Sequence, residues 1–368
     1  MEEVEVLIIG AGIVGLAIAE RLSHKYEGVI VAEKEPSFGR HTSSRNSEVM
    51  HSGIYYPQNS LKATLCVKGL DMLYDFLKEH EIDHKSCGKL VIATKDEEIP
   101  ILEELLKNGT RNGVKGLEIL SEEKVKELEP LFKTKGALWV PATGIMDTHR
   151  VMKKLDFLAE ENGAMISYNT EVVDIEKSDG GYIVTFNDGF KVKSPIVINS
   201  AGLWADKVAE MVGIPPEKHN YTIHLCKGEY YKTTKYKNIE HLVYPVPDPT
   251  GISLGIHIRI NLNGELSFGP NAYYVDEFDY SMDETHHKQF HESVSEYLDI
   301  EFDEMWQDDS GIRPKLQKKG EVFRDFVISN EKDKGFPNFI NLVGIESPGL
   351  TSCLAIAEYV ENLIDEEK

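Results

Sequence analysis

Three glycines and one carboxylate near the N-terminus have the spacing of a nucleotide-binding turn. Gly10, Gly12 and Gly15 follow a first apolar run, and Glu33 comes at the end of a second. In such a strand–turn–helix–strand unit, the first two glycines allow a tight turn and the close approach of a pyrophosphate, and the third allows close helix–strand packing. The helix N-terminus offers free N–H groups to phosphate, and the carboxylate of Glu33 can accept hydrogen bonds from the hydroxyls of a ribose. The pattern therefore predicts a bound dinucleotide.

The next stretch carries side chains that suit hydrogen bonding and proton transfer. Residues 39–47 (GRHTSSRNS) are rich in hydroxyl and amide groups, so this loop can bind phosphate oxygens or the edge of a flavin ring. His51 follows among apolar and aromatic residues that include Tyr55. A histidine in that setting is either a core residue with satisfied hydrogen bonds or a proton acceptor, because its ordinary pKa lies near neutrality. The sequence leaves both interpretations open.

Composition narrows the class of protein. The 368 residues, 41% of them hydrophobic and 28% charged, suit a soluble globular chain with two domains. The net charge of -22 argues against nucleic acid and against electrostatic attraction to anionic membranes, so an anionic substrate requires a local cluster of cations. The four cysteines form no C-x-x-C pair, which indicates reduced thiols in a cytoplasmic protein without a metal site. We expect no membrane-spanning segment and no secretory signal.

The order of predicted elements indicates an α/β fold with a nucleotide domain that is interrupted in sequence. Amphipathic helices are predicted at 61–79, 97–108 and 147–162, and strand-rich segments at 171–186 and 221–274. Apolar strands at 195–199 and 338–343 each run into a turn that contains glycine and then into a helix. Because these junctions repeat the first pattern, the nucleotide domain is expected to resume twice. Residues 310–315 are predicted to form a compact cationic loop.

Several of these stretches together resemble a known family of flavoenzymes. They are Gly10–Gly15 with Glu33, residues 49–63, 198–206 and 311–314, and residues 344–357. The combination resembles the D-amino-acid-oxidase-like FAD-dependent oxidoreductases, and within them the L-2-hydroxyglutarate dehydrogenases and oxidases. The resemblance spans nearly the whole chain. The glycine motif is shared by many nucleotide enzymes, whereas residues 51–56 (HSGIYY) and 311–314 (GIRP) are much narrower in distribution.

The resemblance implies a Rossmann-like FAD-binding domain of residues 1–82, 145–218 and 315–368. It also implies an antiparallel β-sheet substrate domain with helices, built from residues 83–144 and 219–314. Relatives that attach FAD covalently use a cysteine just after the arginine loop; this chain has none there, so FAD is expected to bind non-covalently. The implied cofactor-binding residues are Gly10, Gly12, Ile13, Val14, Gly15, Glu33, Lys34, Thr42, Ser43, Ser44, Asn46, Val173, Ala201, Gly202, Trp204, Gly344, Ser347, Pro348, Gly349, Leu350 and Thr351.

The resemblance also implies an enzyme that oxidises a small hydroxy or amino acid. By position in the Gly-x-Arg-Pro segment, Arg313 is expected to bind a carboxylate or phosphate. His51 is the first candidate for the base and His257 the second, because an imidazole suits base catalysis near neutral pH. The expected reaction is the conversion of L-2-hydroxyglutarate to 2-oxoglutarate, with hydride transfer to flavin N5. Further substrate-binding residues are predicted to be Tyr55, Lys62, Tyr244 and Arg259.

Other functions remain possible on the sequence alone. Within the same fold, the chain could be a glycerol-3-phosphate dehydrogenase or oxidase, or an amino-acid oxidase of the glycine or sarcosine type. A nicotinamide-dependent reductase would need a second glycine-rich nucleotide unit, which the sequence lacks. A non-catalytic flavin-binding protein is the remaining class. The electron acceptor (oxygen, a quinone or an electron-transfer protein) and any peripheral membrane contact are left open.

Overall fold

A computed structural model of the protein describes residues 2–247 and 255–366. The predicted strand-rich segment 221–274 and the predicted domain ends at 1 and 368 therefore extend beyond the described residues. The described strands are β1 (Glu2–Glu3), β2 (Val6–Ile9), β3 (Val29–Ala32), β4 (Val49–Met50), β5 (His84–Lys85), β6 (Lys89–Ala93), β7 (Glu118–Ser121), β8 (Gly136–Val140), β9 (Gly144–Met146), β10 (Met165–Ser167), β11 (Val172–Ser178), β12 (Gly181–Phe186), β13 (Lys191–Ser194), β14 (Ile196–Asn199), β15 (His224–Thr233), β16 (Leu242–Pro245), β17 (Ile258–Ile260), β18 (Leu266–Phe268), β19 (Tyr273–Tyr274), β20 (Trp306–Lys315), β21 (Val327–Asn330) and β22 (Phe339–Val343). The described helices are α1 (Ile13–Ser23), α2 (Leu61–Glu79), α3 (Ile99–Arg111), α4 (Glu122–Leu128), α5 (Thr148–Glu161), α6 (Ala205–Met211), α7 (Pro216–His219), α8 (His287–Ser295) and α9 (Gly349–Asp365).

One sheet gathers strands from three separate stretches of chain, in the order β10-β3-β2-β14-β22-β21. Its pairs are parallel except for β21 with β22. Val6 and Ile8 of β2 pack among helices α1, α2, α5 and α9, whereas Leu7 and Ile9 pack on the opposite face with α6 and β11–β13. Burial on both faces explains why these strands read as uninterrupted apolar runs. The three-part assembly is the interrupted nucleotide fold that the sequence predicted.

A second, larger sheet follows the order β19-β15-β18-β17-β16-β6-β8-β7, and β20 pairs with β15. Its strands come from residues 89–140 and 224–315, with α3 packed on one face and α8 on the other. Most pairs are antiparallel as expected, but β16 and β6 run parallel, with Tyr244 opposite Val91. This parallel pair joins the two chain stretches, because β6 and β16 lie far apart in sequence. A short sheet in the order β4-β9-β5 pairs residues from both sides of the predicted domain boundaries.

The predicted cationic loop at 310–315 is instead the end of strand β20. It pairs antiparallel with β15, with Cys226 opposite Arg313 and Leu225 opposite Pro314. The loop prediction was wrong because glycine and proline, which the segment contains, usually occur in turns. Among the described strands β20 pairs only with β15, and an edge strand tolerates a proline that has no N–H to donate. As a consequence, Arg313 is held by a β-ladder and not by a loop.

Helices α2 and α9 cross at a point where only glycine fits. A Cβ atom on Gly69 would lie 2.6 Å from the carbonyl oxygen of Thr351 and 2.7 Å from Cα of Ser352. The hydroxyl of Thr351 in turn accepts a hydrogen bond of 2.9 Å from the backbone N–H of His51. The close crossing therefore fixes the position of the segment that carries His51.

We expect Gly69→Ala to lower the thermal midpoint of unfolding. Alanine gains about 1 kcal/mol of helix propensity. Overpacking against backbone atoms that cannot rotate away costs about 1–3 kcal/mol, so we expect a net loss of stability. Calorimetry of the two proteins measures the difference. Asp71→Ala, at an exposed position of the same helix, is the control for helix propensity. A Gly69→Ala protein that is more stable than wild type would contradict the close crossing.

Candidate functional site

A cavity of about 840 Å³ lies between the two large sheets and is lined by residues of both. It brings together most of the residues that the sequence singled out. Those on its wall are Gly10, Gly12, Ile13, Val14, Glu33, Lys34, Thr42, Ser43, Asn46, His51, Tyr55, Lys62, Ala201, Gly202, Trp204, Tyr244, His257, Arg313, Ser347, Pro348, Gly349 and Leu350. Most of the predicted cofactor-binding and substrate-binding residues therefore share one cavity.

Three predicted cofactor-binding residues lie off the cavity wall for local reasons. Gly15 lies beneath the turn, where a Cβ atom would be 2.0 Å from the carbonyl oxygen of Gly10, so its role is packing. The Ser44 hydroxyl donates a hydrogen bond to the carbonyl of Gly39 within its own loop. Val173 is 46% exposed, and its neighbour Val172 lines the cavity in its place, because successive strand residues point to opposite faces.

Three other predicted residues support the wall from behind. Gly344 has a φ of +74°, and a Cβ atom there would lie 2.5 Å from Cγ of Leu316. Thr351 uses its hydroxyl to accept the hydrogen bond from the His51 N–H. Arg259 was predicted to bind substrate, but its guanidinium lies 3.5 Å from the carboxylate of Asp308 and donates to the carbonyl of Asn46. Its charge is therefore already neutralised.

One end of the cavity has the kinds of group that bind phosphate and ribose in nucleotide-binding folds. Helix α1 begins after Gly12, which has no side chain to cap it. The N–H of Ile13 instead donates a hydrogen bond of 3.0 Å to the hydroxyl of Ser43, in the neighbouring loop. A Cβ atom on Gly10 would lie 2.8 Å from the Ser200 carbonyl oxygen. The Glu33 carboxylate accepts a hydrogen bond of 2.7 Å from the N–H of Ala11. The carboxylate is thus anchored at the strand end and keeps acceptor capacity on both oxygens.

A second helix N-terminus opens into the same cavity. Helix α9 begins at Gly349 after Pro348, which provides no capping side chain, and both residues line the wall. The first N–H groups of a helix lack partners inside the helix and carry the positive end of its dipole. Two helix N-termini facing one cavity therefore favour a ligand with anionic groups at more than one position.

The other end of the cavity holds two histidines, the buried His257 and the partly buried His51. Nδ1 of His51 has no hydrogen-bond partner among the described residues. Nδ1 of His257 lies 3.1 Å from the carbonyl oxygen of Gly255, so it carries the hydrogen, and in the neutral ring Nε2 keeps a lone pair. The His257 ring stacks on Tyr244 with centroids 3.7 Å apart.

Both histidines are neutral at neutral pH. Burial and then the positive charge of Lys89 lower the pKa of His51 to about 3. Burial lowers the pKa of His257 well below its usual range, and the charges of Lys89 and Arg313 act in the same direction. Lys89 thus acts on both imidazoles and Arg313 acts on His257, and His51, His257 and Arg313 line the same cavity. A neutral imidazole can accept a proton, and a bound anion beside it would raise its pKa again.

Arg313 presents a guanidinium without a carboxylate partner among the described residues. Nη2 donates a hydrogen bond of 3.3 Å to the carbonyl of Asn271, and Nη1 lies 3.5 Å from the carbonyl oxygen of Lys227. The group rests on Gly228, where a Cβ atom would lie 2.8 Å from both terminal nitrogens. Its charge is therefore positioned by backbone and remains available to an anion in the cavity.

Lys62 was predicted as a second anchor for an anionic substrate, but it is already paired. Its Nζ lies 2.9 Å from Glu346, and Lys315 lies 3.0 Å from the same buried carboxylate. Burial disfavours the charge of Glu346, yet the two ammonium groups outweigh that effect and lower its carboxyl pKa to about 2. The cluster of Lys62, Lys315 and Glu346 thus forms a structural bridge between α2, β20 and the turn before α9.

Sequence reasoning missed the residues whose role depends on burial. It did not identify Glu346, Lys315 or Val172, each of which lines the cavity. It also missed Lys89, which is fully buried next to the cavity. One signal was present, because Lys89 begins the apolar strand Lys89–Ala93, and a lysine inside such a strand must either reach solvent or carry a function.

Comparison with known proteins assigns the class. The family model for FAD-dependent oxidoreductases (DAO) matches residues 5–363, so the chain belongs to this family. The chain is 38% identical to a mitochondrial L-2-hydroxyglutarate dehydrogenase of Arabidopsis thaliana, over 98% of this chain and 83% of that protein. It is 31% identical to the L-2-hydroxyglutarate dehydrogenase of Indibacter alkaliphilus, over 96% of each chain.

Solved structures show the same architecture. The L-alpha-glycerophosphate oxidase from Mycoplasma pneumoniae, with FAD bound, has a TM-score of 0.87 and 26% identity, over 99% of this chain and 95% of that chain. Glycine oxidase from Geobacillus kaustophilus shares the fold with a TM-score of 0.82 and 19% identity, over 100% and 96% of the chains. The predicted fold class, FAD as cofactor and oxidoreductase activity are confirmed.

The residues on the cavity wall fit FAD. The glycine cradle at Gly10 and Gly12, the anchored Glu33 and the two helix N-termini at the cavity match a dinucleotide with a pyrophosphate. Among residues 2–247 and 255–366, no group of histidine, cysteine and acidic side chains is arranged to hold a metal ion. No helix in that part of the chain is both long and apolar enough to cross a bilayer.

We expect Glu346→Gln to destabilise the protein strongly. The substitution leaves two buried ammonium groups without a carboxylate, and breaking a buried ion pair in this way costs about 3–5 kcal/mol. In wild type, the depressed pKa of Glu346 contributes stability above pH 4.5 that is lost as pH falls towards about 2. Urea unfolding at several pH values should show this acid-range loss in wild type and not in the variant.

Glu358→Gln is the matched control, because Glu358 pairs with the half-exposed Lys68 on the protein surface. A surface pair contributes about 0–1 kcal/mol, so the control should unfold almost as wild type does. Equal unfolding free energies for Glu346→Gln and wild type would show that the buried cluster does not stabilise the fold.

Proposed function

We propose that the protein oxidises L-2-hydroxyglutarate to 2-oxoglutarate with FAD. The observation that carries the proposal is the guanidinium of Arg313, which has no carboxylate partner among the described residues and shares the wall of the FAD cavity with the neutral imidazoles of His51 and His257. Such a cluster suits a substrate that has a carboxylate to bind and a hydroxyl proton to lose. The names of the relatives that match nearly the whole chain support the same substrate.

The cofactor is held, in this proposal, by the wall residues at the two helix N-termini and by Glu33. FAD, when bound, supplies the acceptor for the hydride of the substrate carbon. The protein contributes binding and orientation, which account for a large part of enzymatic acceleration in such reactions. The resemblance places the cysteine of covalent FAD attachment just after the arginine segment, and this chain has none there, so we infer that FAD is bound non-covalently.

Arg313 binds the carboxylate next to the reacting carbon. Its guanidinium is a planar fork that can donate two parallel hydrogen bonds to one carboxylate. Ladder pairing of β20 with β15 and the contact with Gly228 hold this fork in place before substrate arrives. The energetic cost of ordering the side chain is therefore met largely during folding.

His51 takes the hydroxyl proton. Its unpartnered Nδ1 is buried at the cavity, whereas Nδ1 of His257 is engaged by a backbone carbonyl and its ring is stacked. The low pKa of His51 ensures that the imidazole is neutral when substrate arrives. The bound carboxylate then raises that pKa, which strengthens the base where the proton is released. His257 and Tyr244 orient the substrate.

The function is tested by mixing the FAD-loaded protein anaerobically with a panel of substrates and following the visible absorbance of the flavin. L-2-hydroxyglutarate should bleach the flavin fastest, ahead of lactate, glycerol 3-phosphate and glycine. Because glycerol 3-phosphate is the substrate named for a solved relative, its faster reaction would replace the proposal. A flavin that none of the four compounds reduces would also refute it.

We expect Arg313→Lys to lower kcat/KM for L-2-hydroxyglutarate while leaving FAD binding intact. Lysine keeps the charge but loses the two-pronged geometry, which should cost about 2–3 kcal/mol of recognition. Steady-state kinetics measure the loss. Arg150→Lys is the control, because Arg150 is an exposed residue that pairs with Asp83. An unchanged kcat/KM in Arg313→Lys would remove Arg313 from substrate binding.

The electron acceptor and the compartment are further parts of the proposal. Reoxidation of the reduced protein by oxygen, a quinone or an electron-transfer protein identifies the acceptor. A reducing, cytoplasmic environment is consistent with four cysteines that are all buried and unpaired. Some curated relatives are named as mitochondrial, so the location is to be tested by cell fractionation.

A further inference from the structure

Lys89 is a buried cation beside the candidate substrate end of the cavity. It is 0% exposed, and its Nζ has no hydrogen-bond partner among the described residues. The ammonium lies 4.5 Å from the ring centroid of Tyr55 and 4.8 Å from that of Tyr244. Both tyrosines line the cavity, and their hydroxyls are likewise buried without a partner in the described part of the chain.

Most other cations around this end are already neutralised. The pairs are Lys62 and Lys315 with Glu346, Arg259 with Asp308, Lys227 with Asp279, and Arg45 with Asp309. Arg313 and Lys89 differ, because neither has an ion pair within the described residues, and both lower the pKa of His257. When Lys89 is protonated, the cluster therefore carries two positive charges that no described carboxylate balances.

We propose that Lys89 is the specificity-determining residue that makes this site select a dicarboxylate over a monocarboxylate. Arg313 binds the first carboxylate; Lys89 supplies the charge for the second, which accepts hydrogen bonds from the hydroxyls of Tyr55 and Tyr244. A cation over the face of a tyrosine ring is attracted to that face and holds the ring in place. In a buried site its field is weakly screened and reaches an anion beyond the rings. The inference rests on the proposed function and deepens it.

The protonation of Lys89 gives the inference a measurable signature. Burial lowers the pKa of the Lys89 ammonium to about 7. The titratable groups that face Lys89 are Tyr55, Tyr244, Cys66, His51 and His257. All are neutral at pH 7, because burial raises the pKa of the two tyrosines and the cysteine and lowers the pKa of the two histidines. A bound second carboxylate favours the ammonium form, so dicarboxylate binding takes up a proton above pH 7 and weakens as pH rises further.

The experiment uses glutarate and pentanoate, which have the same chain length and differ by one carboxylate. Dissociation constants are measured from the flavin absorbance change of the FAD-loaded full-length protein at a series of pH values around 7. In wild type, glutarate should bind at least about tenfold more tightly than pentanoate below pH 7. Above pH 7 the dissociation constant of glutarate should rise by up to about tenfold per pH unit, whereas the dissociation constant of pentanoate should not show this rise.

Substitutions assign the effect to Lys89. Lys89→Met removes the charge at similar volume, so the glutarate preference should fall by about tenfold or more and the pH slope should disappear. Lys89→Arg keeps a cation that does not deprotonate, so the preference should remain while the slope disappears. Lys68→Met, at a half-exposed position of α2, is the control and should behave as wild type.

The inference is overturned if Lys89→Met binds glutarate as wild type does, or if Lys89→Arg keeps the wild-type pH slope. Should Lys89→Met fail to fold with FAD, the comparison of wild type with Lys89→Arg still decides the point. Failure of the proposed function is separable, because these measurements need no turnover. A protein that selects glutarate through Lys89 but does not oxidise L-2-hydroxyglutarate would refute the function and retain the site.

Discussion

The packing of loop 39–47 against strand β20 is the contact on which the cavity depends. A Cβ atom on Gly311 would lie 2.3 Å from the carbonyl oxygen of Arg45, so the loop and the strand touch backbone to backbone. The hydroxyl of Thr42 donates a hydrogen bond of 3.1 Å to the carbonyl of Ile312. Ser43 is the next residue of the loop and Arg313 is the next residue of the strand. The glycine turn and the guanidinium of Arg313 therefore have a fixed separation, although they belong to different sheets.

The second constraint is electrostatic. A chain with a net charge of -22 repels an organic anion at long range, so attraction must come from charges that are close and poorly screened. The fold neutralises most buried cations with carboxylates, as in the cluster of Lys62, Lys315 and Glu346. It leaves Arg313 and Lys89 without such partners among the described residues. The described buried cations therefore fall into two groups, those that pair with a carboxylate and those that have no such partner.

Most predictions that rested on local sequence patterns were confirmed by the structure. The glycine turn, the acid at the end of the second strand and the amphipathic helix Leu61–Glu79 follow from neighbours within a few residues, and each lies where the pattern predicted. The repeated strand–turn–helix junctions also predicted correctly that distant stretches join one sheet. The prediction failed where a local signal had a distant cause. The glycine and proline of residues 310–315 suggested a loop, but pairing with β15 made them a strand.

The sequence by itself determined the nucleotide-binding unit, the family and the set of residue types available for chemistry, because each depends on short-range order in the chain. Only the tertiary structure decided which charges are free. Lys62 and Glu346 are 284 residues apart, and Lys89 is isolated by rings from two separate segments. Whether a charged side chain can bind a ligand or instead stabilises the fold depends on its partners in space and on its distance from water. Neighbouring residues in the sequence determine neither of these properties.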